Sequence, residues 1–271
     1  MAATGDYIFS RDHIDDNRIM LGHYQWKELY GHLVHPSIPL TTPGLRIADV
    51  ATGTGTWLID LSSHLPEAQL DGLDITLKTL PPKGWIPPNV NFREWNVREP
   101  VPGDLLGKYD IVHVRYLCLV LSDDEVSSVV ENVAKLLKPG GYLQWGEVDP
   151  QTWRIETTGP DKKTDALQRI YDLEAQDARL VTSWVPQLPS IFENAGLRDV
   201  LSDVRDPPGY LAWQMHETML LIHEMVARNT DVAGIAQSVR ELVPEAIKEG
   251  KAGAAWVFTR QLVVGRKPVA A

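Results

Sequence analysis

The sequence predicts an α/β fold, a mostly parallel sheet with helices on both faces, and three observations carry that expectation. From residue 45 onward, apolar strand-like runs alternate with amphipathic stretches, the pattern of parallel strands joined by crossover helices. The first run, "IADVATGTGTWLIDL" at residues 47–61, passes through a Gly-x-Gly turn straight into a helical pattern. At 271 residues and 44% hydrophobic content, the chain has enough length and apolar surface for one large domain carrying insertions.

The strands are expected at 45–50, 69–75, 90–96, 109–115, 141–147, 198–205 and 254–265. The clearest helix follows the fourth strand, in "SDDEVSSVVENVAKLLKPGG". Ser122 and Glu125 have the spacing of a capping box, Val126, Val129, Val130, Val133, Leu136 and Leu137 make one apolar stripe, and Pro139-Gly140-Gly141 ends it. Between the second and third strands, "TLKTLPPKGWIPPN" holds too much proline for a long helix. Three helical segments fall outside the alternation: 11–33, 162–181 and 209–250, the last with a kink or break expected at Pro244. The expected organisation is a helical cap segment over 1–40 and a main domain over 41–271, with insertions at about 155–182 and 206–250. In open α/β sheets ligands bind beyond the carboxyl ends of the strands, so these extra helices are candidates for a lid.

Composition excludes several classes. A net charge of −10 with no basic run disfavours nucleic acid as a direct partner. No apolar stretch approaches the ~20 residues of a membrane span, and "MAATGDYIFSRDHIDD" lacks the order of a signal peptide. A single cysteine, Cys118, allows neither an internal disulfide nor a thiolate metal cluster, so a reducing cytoplasmic setting is expected. Nine tryptophans suggest a pocket for a flat or apolar ligand, although core packing accounts for them equally simply.

The glycine turn restricts the nucleotide. No lysine follows Gly55, so a Walker loop for ATP or GTP is disfavoured. The third small residue of a dinucleotide fingerprint is replaced by Leu58, which disfavours NAD. S-adenosylmethionine (SAM) carries no phosphate and asks only for bare backbone, which Ala51, Thr52, Gly53 and Gly55 supply, with Asp49 placed to orient the ligand's ammonium group. "LDGLDIT" ends the second strand with Asp74 and Ile75, where a carboxylate can accept from both ribose hydroxyls. "FREWNVRE" places Asn96 and Val97 where an amide and a neighbouring N–H could read an adenine edge, or where Asn96 simply makes a turn.

These stretches, with "YDIVHVRYL" and "LLKPGGYLQWGEVD", resemble the class I SAM-dependent methyltransferases. More narrowly they are similar to the LaeA-like fungal methyltransferases of secondary metabolism, whose N-terminal segment is also similar to "NRIMLGHYQWKELYGHLVHPSIP". The resemblance covers roughly residues 7–150. It implies a Rossmann-like seven-stranded sheet of order 3-2-1-4-5-7-6 with the seventh strand antiparallel, SAM as cofactor, and S-adenosylhomocysteine (SAH) as product. Ala51 stands where many relatives have glycine.

Methyl transfer is an in-line displacement that depends mostly on alignment, with a base only for a protonated nucleophile. His113 and Arg115 flank the end of the fourth strand on one face. They are candidates for base and substrate anchor, or alternatively they shape the cofactor floor. Glu147 is a candidate base, amine-binding group or turn residue. His23, Tyr24 and Trp26 lie on the N-terminal helix with Arg18 earlier; the resemblance implies that this segment closes over the methionine end of SAM, with Arg18 on the ligand carboxylate. Met215, His216, Met219 and His223 share a helical stripe that could line a substrate pocket, and no metal-ligand spacing is present. The expected function is methylation of a small natural product at oxygen or nitrogen by a monomer or homodimer. A non-methylating, pericyclic step on the same cofactor and a LaeA-like regulatory role are the alternatives.

Overall fold

The structure, a computed structural model, describes residues 11–176, 182–229 and 235–269. Helix α1 (His13–Tyr30) precedes β1 (Arg46–Val50), α2 (Thr56–His64), β2 (Gln69–Asp74), β3 (Val90–Glu94) and β4 (Tyr109–Arg115). Then follow α3 (Val126–Leu136), β5 (Leu137–Val148), β6 (Arg154–Thr157), α4 (Asp165–Glu174) and α5 (Leu188–Asn194). The chain continues through β7 (Arg198–Arg205), α6 (Gly209–Asn229), α7 (Ile235–Lys251), β8 (Ala254–Val257) and β9 (Arg260–Arg266). Among the described residues, one sheet runs β3-β2-β1-β4-β5-β9-β7, the expected order, with β9 antiparallel to both neighbours. Strands β1 and β4 at its centre read as nearly unbroken apolar runs because helices cover both faces.

Local differences from the expected elements have physical causes. Helix α3 begins at Val126 rather than Ser122; the Glu125 carboxylate does accept the Ser122 N–H, but it is also held by the Arg98 guanidinium. Strand β5 begins at Leu137, before Pro139-Gly140-Gly141, and takes up the extra residues as an irregularity in its pairing with β4. The expected strand 254–265 is two strands. Thr259 turns out between them, its carbonyl accepting the Asp149 N–H, and β8 pairs with β6 in a small antiparallel sheet absent from the sequence expectation. Helix α7 continues through Pro244, held by Val239, Leu242, Val243 and Ala246 in a cluster shared with α4 and α6. Parts of the expected segments, 1–10, 177–181 and 230–234, lie outside the described residues.

Helix α1 is capped by the Asp12 carboxylate, which accepts from the N–H groups of Ile14 and Asp15, and it stops at Gly31 in the left-handed region, φ 70°. Its contacts with β5, α2 and α6 set its seat. Trp26 lies flat on β5 at Gly146, where a Cβ would sit 2.5 Å from the indole Cζ2. His23 Nε2 and Lys27 Nζ both reach the Asp60 carboxylate of α2, at 3.0 and 2.7 Å. Gln25 Nε2 donates to Thr218 Oγ1 and the Gln214 carbonyl of α6 at 2.7 and 2.9 Å. A strand thus lacks a side chain so that a helix can cross its carboxyl end.

Two predictions follow from this docking. Gly146→Val overpacks the Trp26 contact and should destabilise the chain by about 1–3 kcal/mol in urea unfolding; an unchanged midpoint would show that α1 is not seated there. Burial and the Arg115 cation lower His23 to about 4, and burial lowers His216 to about 4. Each binds a proton more readily unfolded than folded, so stability is full above pH 6.5 and falls as pH drops from 6.5 toward 4. The slope is up to about 1.4 kcal/mol per pH unit for each group. Urea midpoints at pH 7.5, 6 and 5 should decline in that order, and a flat series would rule the burial out.

Candidate active site

Parallel strands end at one edge of a sheet, and here β1, β2 and β4 bring charged groups to it. Asp49 and His113 are neighbours in register. The Asp49 carboxylate can only accept, so His113 Nδ1 carries the proton and donates to Asp49 Oδ1 at 2.7 Å. The other oxygen accepts from Thr52 Oγ1 at 2.6 Å. Trp57, at the start of α2, stacks on the imidazole with centroids 3.9 Å apart and 2° between planes. Burial pulls His113 below the ordinary imidazole range, opposed by Asp49.

The loop after β1 uses three left-handed residues, Ala51 (φ 57°), Gly53 (φ 56°) and Gly55 (φ 71°). Its glycines serve different ends. A Cβ on Gly53 would approach Ile19 of α1 at 3.7 Å, in the gap between loop and cap, whereas one on Gly55 would collide with the Phe92 ring at 2.6 Å. Gly55 is therefore a packing position, closed off from ligand, which corrects its expected cofactor contact. Asp74 Oδ2 accepts the Gly53 N–H at 2.8 Å and Oδ1 accepts the Thr76 N–H at 3.2 Å. Burial raises this carboxyl above its ordinary value.

At the end of β4, Arg115 is half-buried. Its guanidinium can only donate, so His23 Nδ1 accepts from Nη2 at 3.1 Å and His23 Nε2–H donates to Asp60. With both nitrogens committed, His23 positions Arg115 and is not placed as a base. The guanidinium also lies over the rings of Trp26 and Tyr116, 5.6 and 5.2 Å from their centroids. Tyr116 has φ 65°, an unusual conformation for a bulky residue, and its hydroxyl donates to the Gly22 carbonyl of α1 at 3.2 Å.

These groups wall one end of a cavity of about 320 Å³. Arg18, Asp49, Ala51, Thr52, Gly53, Asp74, Ile75, His113 and Arg115 line it, as does His23. Its other end lies under α4, α6 and β8, where Met215, Met219 and His223 join Trp153, Tyr171, Trp256 and Phe258. Trp153 and Tyr171 stack with centroids 3.5 Å apart and 11° between planes.

Other sequence-chosen residues stand elsewhere. Glu147 is fully buried behind the wall: Oε1 accepts from the Leu117 N–H and Trp145 Nε1, and Oε2 from the Cys118 N–H. It organises the turn after β4 and does not reach an acceptor. Burial raises its carboxyl to about 7. Tyr24 points to solvent, 58% exposed, because it lies on the outer face of α1, and Trp26 is covered by Gly146, Tyr30 and Arg115. Neither lines the cavity. His216 is buried against Trp256 and Gly250, behind the wall rather than in it. Asn96 and Val97 lie past the end of β3; Asn96 Oδ1 accepts the Arg98 N–H of its own turn, and Val97 packs in the core. The adenine contact expected of them has no counterpart in the cavity wall.

Sequence reading missed Trp57, the Trp153–Tyr171 stack and Glu174. Trp153 stood just beyond "WGEVDP", but nothing in the spacing linked Glu174 to His223. Outside the cavity, His32, His35 and Asp203 bring ligand-type atoms within 4.8 Å of one another. Arg205 holds both oxygens of the Asp203 carboxylate, so that cluster is built around an ion pair.

Comparison with known proteins agrees with this geometry. A family model for a methyltransferase domain matches residues 48–143, the segment from β1 into β5. The methyltransferase grgD of a Penicillium species is 44% identical over 59% of this chain and 61% of its own length. The N-methyltransferase tcpN of Claviceps purpurea is 33% identical over 72% of this chain and 70% of its own length. A solved methyltransferase from an antibiotic biosynthesis pathway of Anabaena variabilis superposes with a TM-score of 0.58 at 13% identity, covering 94% of this chain and 99% of that one. The sheet order, the glycine turn closed by Asp74 and these relatives together place the chain in the class I SAM-dependent methyltransferases, with fungal N-methyltransferases among its relatives.

Proposed function

We propose that the protein transfers the methyl group of SAM to oxygen or nitrogen of a small molecule in fungal secondary metabolism. The observation that carries this reading is the division of one cavity into a charged end at the strand termini and an aromatic, thioether-rich end beneath the helical insertions. The residues present fit the cofactor. Gly53 leaves space between loop and cap that a Cβ would fill, and Asp74 aims a carboxylate, already anchored by two backbone N–H groups, into the same space.

When bound, SAM supplies a methyl group on a positively charged sulfur. In this reading Asp74 accepts from the ribose hydroxyls, and Ile75, 42% exposed, offers an apolar surface beside them. The Asp49–His113 pair faces the ammonium group of the methionine portion, while Arg115 and Arg18 face its carboxylate. His113, with Nδ1 committed to Asp49 and its ring held against Trp57, shapes the methionine end of the site in this reading. Helix α1 and the described parts of the insertions, α4 and α6 above all, exclude water over the reacting atoms and shape the acceptor site. The acceptor end is enclosed by side chains of α4, α6, β8 and the turns beside β6 and β8, which supports a small molecule over a macromolecular substrate. The relatives named as N-methyltransferases support nitrogen as one acceptor atom.

Calorimetry with SAH tests the cofactor end. Asp74→Ala should weaken binding at least tenfold, about 1.4 kcal/mol, and Gly53→Val should weaken it more by blocking the cleft and straining φ. Tight NADH binding without SAH binding would overturn the reading. Incubation of extracts from a deletion strain with SAM bearing a labelled methyl group tests the reaction. A transferase yields labelled product and an equal amount of SAH, whereas an unlabelled isomer with SAM unconsumed would identify a non-methylating catalyst instead.

A further inference from the structure

The aromatic end of the cavity contains a second histidine–carboxylate pair. His223 Nδ1 lies 2.6 Å from Glu174 Oε1, joining α6 to α4. A carboxylate accepts, so the proton sits on Nδ1 and leaves the lone pair on Nε2. That nitrogen is buried without a hydrogen-bond partner among the described residues, and His223, only 3% exposed, lines the cavity. A buried acceptor with no partner is costly unless a ligand supplies a donor. The ring cannot turn away to find one: Glu174 fixes its azimuth, and Trp256 packs against it with centroids 4.4 Å apart.

We propose that His223, oriented by Glu174, is the catalytic residue that takes the proton of a planar, uncharged O–H or N–H acceptor. This rests on the transferase reading and names its substrate class. Planarity rests on the composition of the walls, which the Trp153–Tyr171 stack and the Trp256 and Phe258 rings line. Neutrality follows from the charges. Glu174 is committed to His223, His216 behind Trp256 is held neutral by burial, and the cations Arg11, Arg18 and Arg115 lie on α1 and β4 or ahead of them, toward the charged end. Arg260, the remaining arginine of the lining, donates to the Phe258 carbonyl at 2.7 Å and has Tyr116 and Tyr30, beside the charged end, as its neighbours. As the acceptor heteroatom forms its bond to the methyl carbon, the carbon–sulfur bond breaks with its electron pair left on sulfur. The proton released from the heteroatom passes to His223 Nε2, and the imidazolium so formed is stabilised by the Glu174 carboxylate.

Binding of matched probes to the full chain with SAH tests this without turnover. The pairs are 2-naphthol with 2-methoxynaphthalene and indole with 1-methylindole, each differing only in the O–H or N–H, followed by quenching of tryptophan fluorescence. The wild-type chain should favour the protic member of at least one pair by roughly tenfold, and which pair does so separates oxygen from nitrogen acceptors. His223→Leu should abolish the preference, and Glu174→Ala should reduce it, with SAH affinity within twofold of wild type. His223→Gln, which still accepts a hydrogen bond but takes no proton, should keep much of the preference and lose at least tenfold in labelled methyl transfer. No protic preference in wild type, or a preference that survives His223→Leu, overturns the proposal while leaving SAH binding untouched. Failure of the wild-type chain to bind SAH overturns the transferase reading itself.

Discussion

Arg115 is the charge on which the rest of the arrangement depends. It ends the central strand β4 at the edge where ligands bind, and a guanidinium drawn out of bulk water there needs partners of fixed geometry. Helix α1 brings most of them: His23 accepts from Nη2, and Trp26 gives its ring face. For Trp26 to come that close, β5 must lack a side chain at Gly146. For His23 to accept on Nδ1, its Nε2–H needs its own acceptor, which α2 supplies in Asp60. One half-buried cation thus sets the seat of the cap, the tautomer of a histidine and the identity of a residue on the neighbouring strand.

The same logic of committed nitrogens separates the three histidines of the cavity wall. His113 spends Nδ1 on Asp49 beneath a stacked tryptophan, and His23 spends both ring nitrogens between Arg115 and Asp60. His223 spends one and leaves the other buried without a partner among the described residues. Sequence position makes His113 a candidate for proton transfer because it sits at a strand end, and His23 is a candidate through the resemblance of the N-terminal helix that carries it. Those commitments take His23 out of that role, since a histidine between two obligate partners has no lone pair to offer a substrate, and of the other two only His223 lies at the aromatic end.

What could be read from the sequence followed the range of the interactions involved. The strand order followed only from the resemblance to class I methyltransferases, whereas the alternation of strands and helices and the glycine turn rest on local patterns and were legible. So was Asp74, because its partners Gly53 and Thr76 belong to motifs a strand apart. The division of 254–265 into β8 and β9 was not, since the break is made by Thr259 answering Asp149 and Thr152, more than a hundred residues earlier. For Glu147 the turn reading fits and the catalytic one does not, for a related reason. Its place at a strand end is that of a catalytic carboxylate, but the N–H groups of Leu117 and Cys118 and the Trp145 indole claim it, and no sequence pattern announces donors that gather only in the fold. The Glu174–His223 pair, 49 residues apart, was hidden in the same way.

The two ends of the cavity also differ in how they are supported, and this bears on how such a site can change its substrate. The charged end is built on β1, β2 and β4 in the middle of the sheet, where each side chain is fixed by neighbours in register. The aromatic end is built on α4, α6 and β8, which form their own apolar cluster around Trp256 and Leu167 and meet the rest of the chain through α1 and the β6–β8 ribbon. Substitutions within that cluster can reshape the acceptor wall without disturbing the strand register that holds Asp49, Asp74 and Arg115. A rigid sheet edge thus keeps one cofactor geometry, while a separately packed set of helices carries the part of the site that must differ between acceptors.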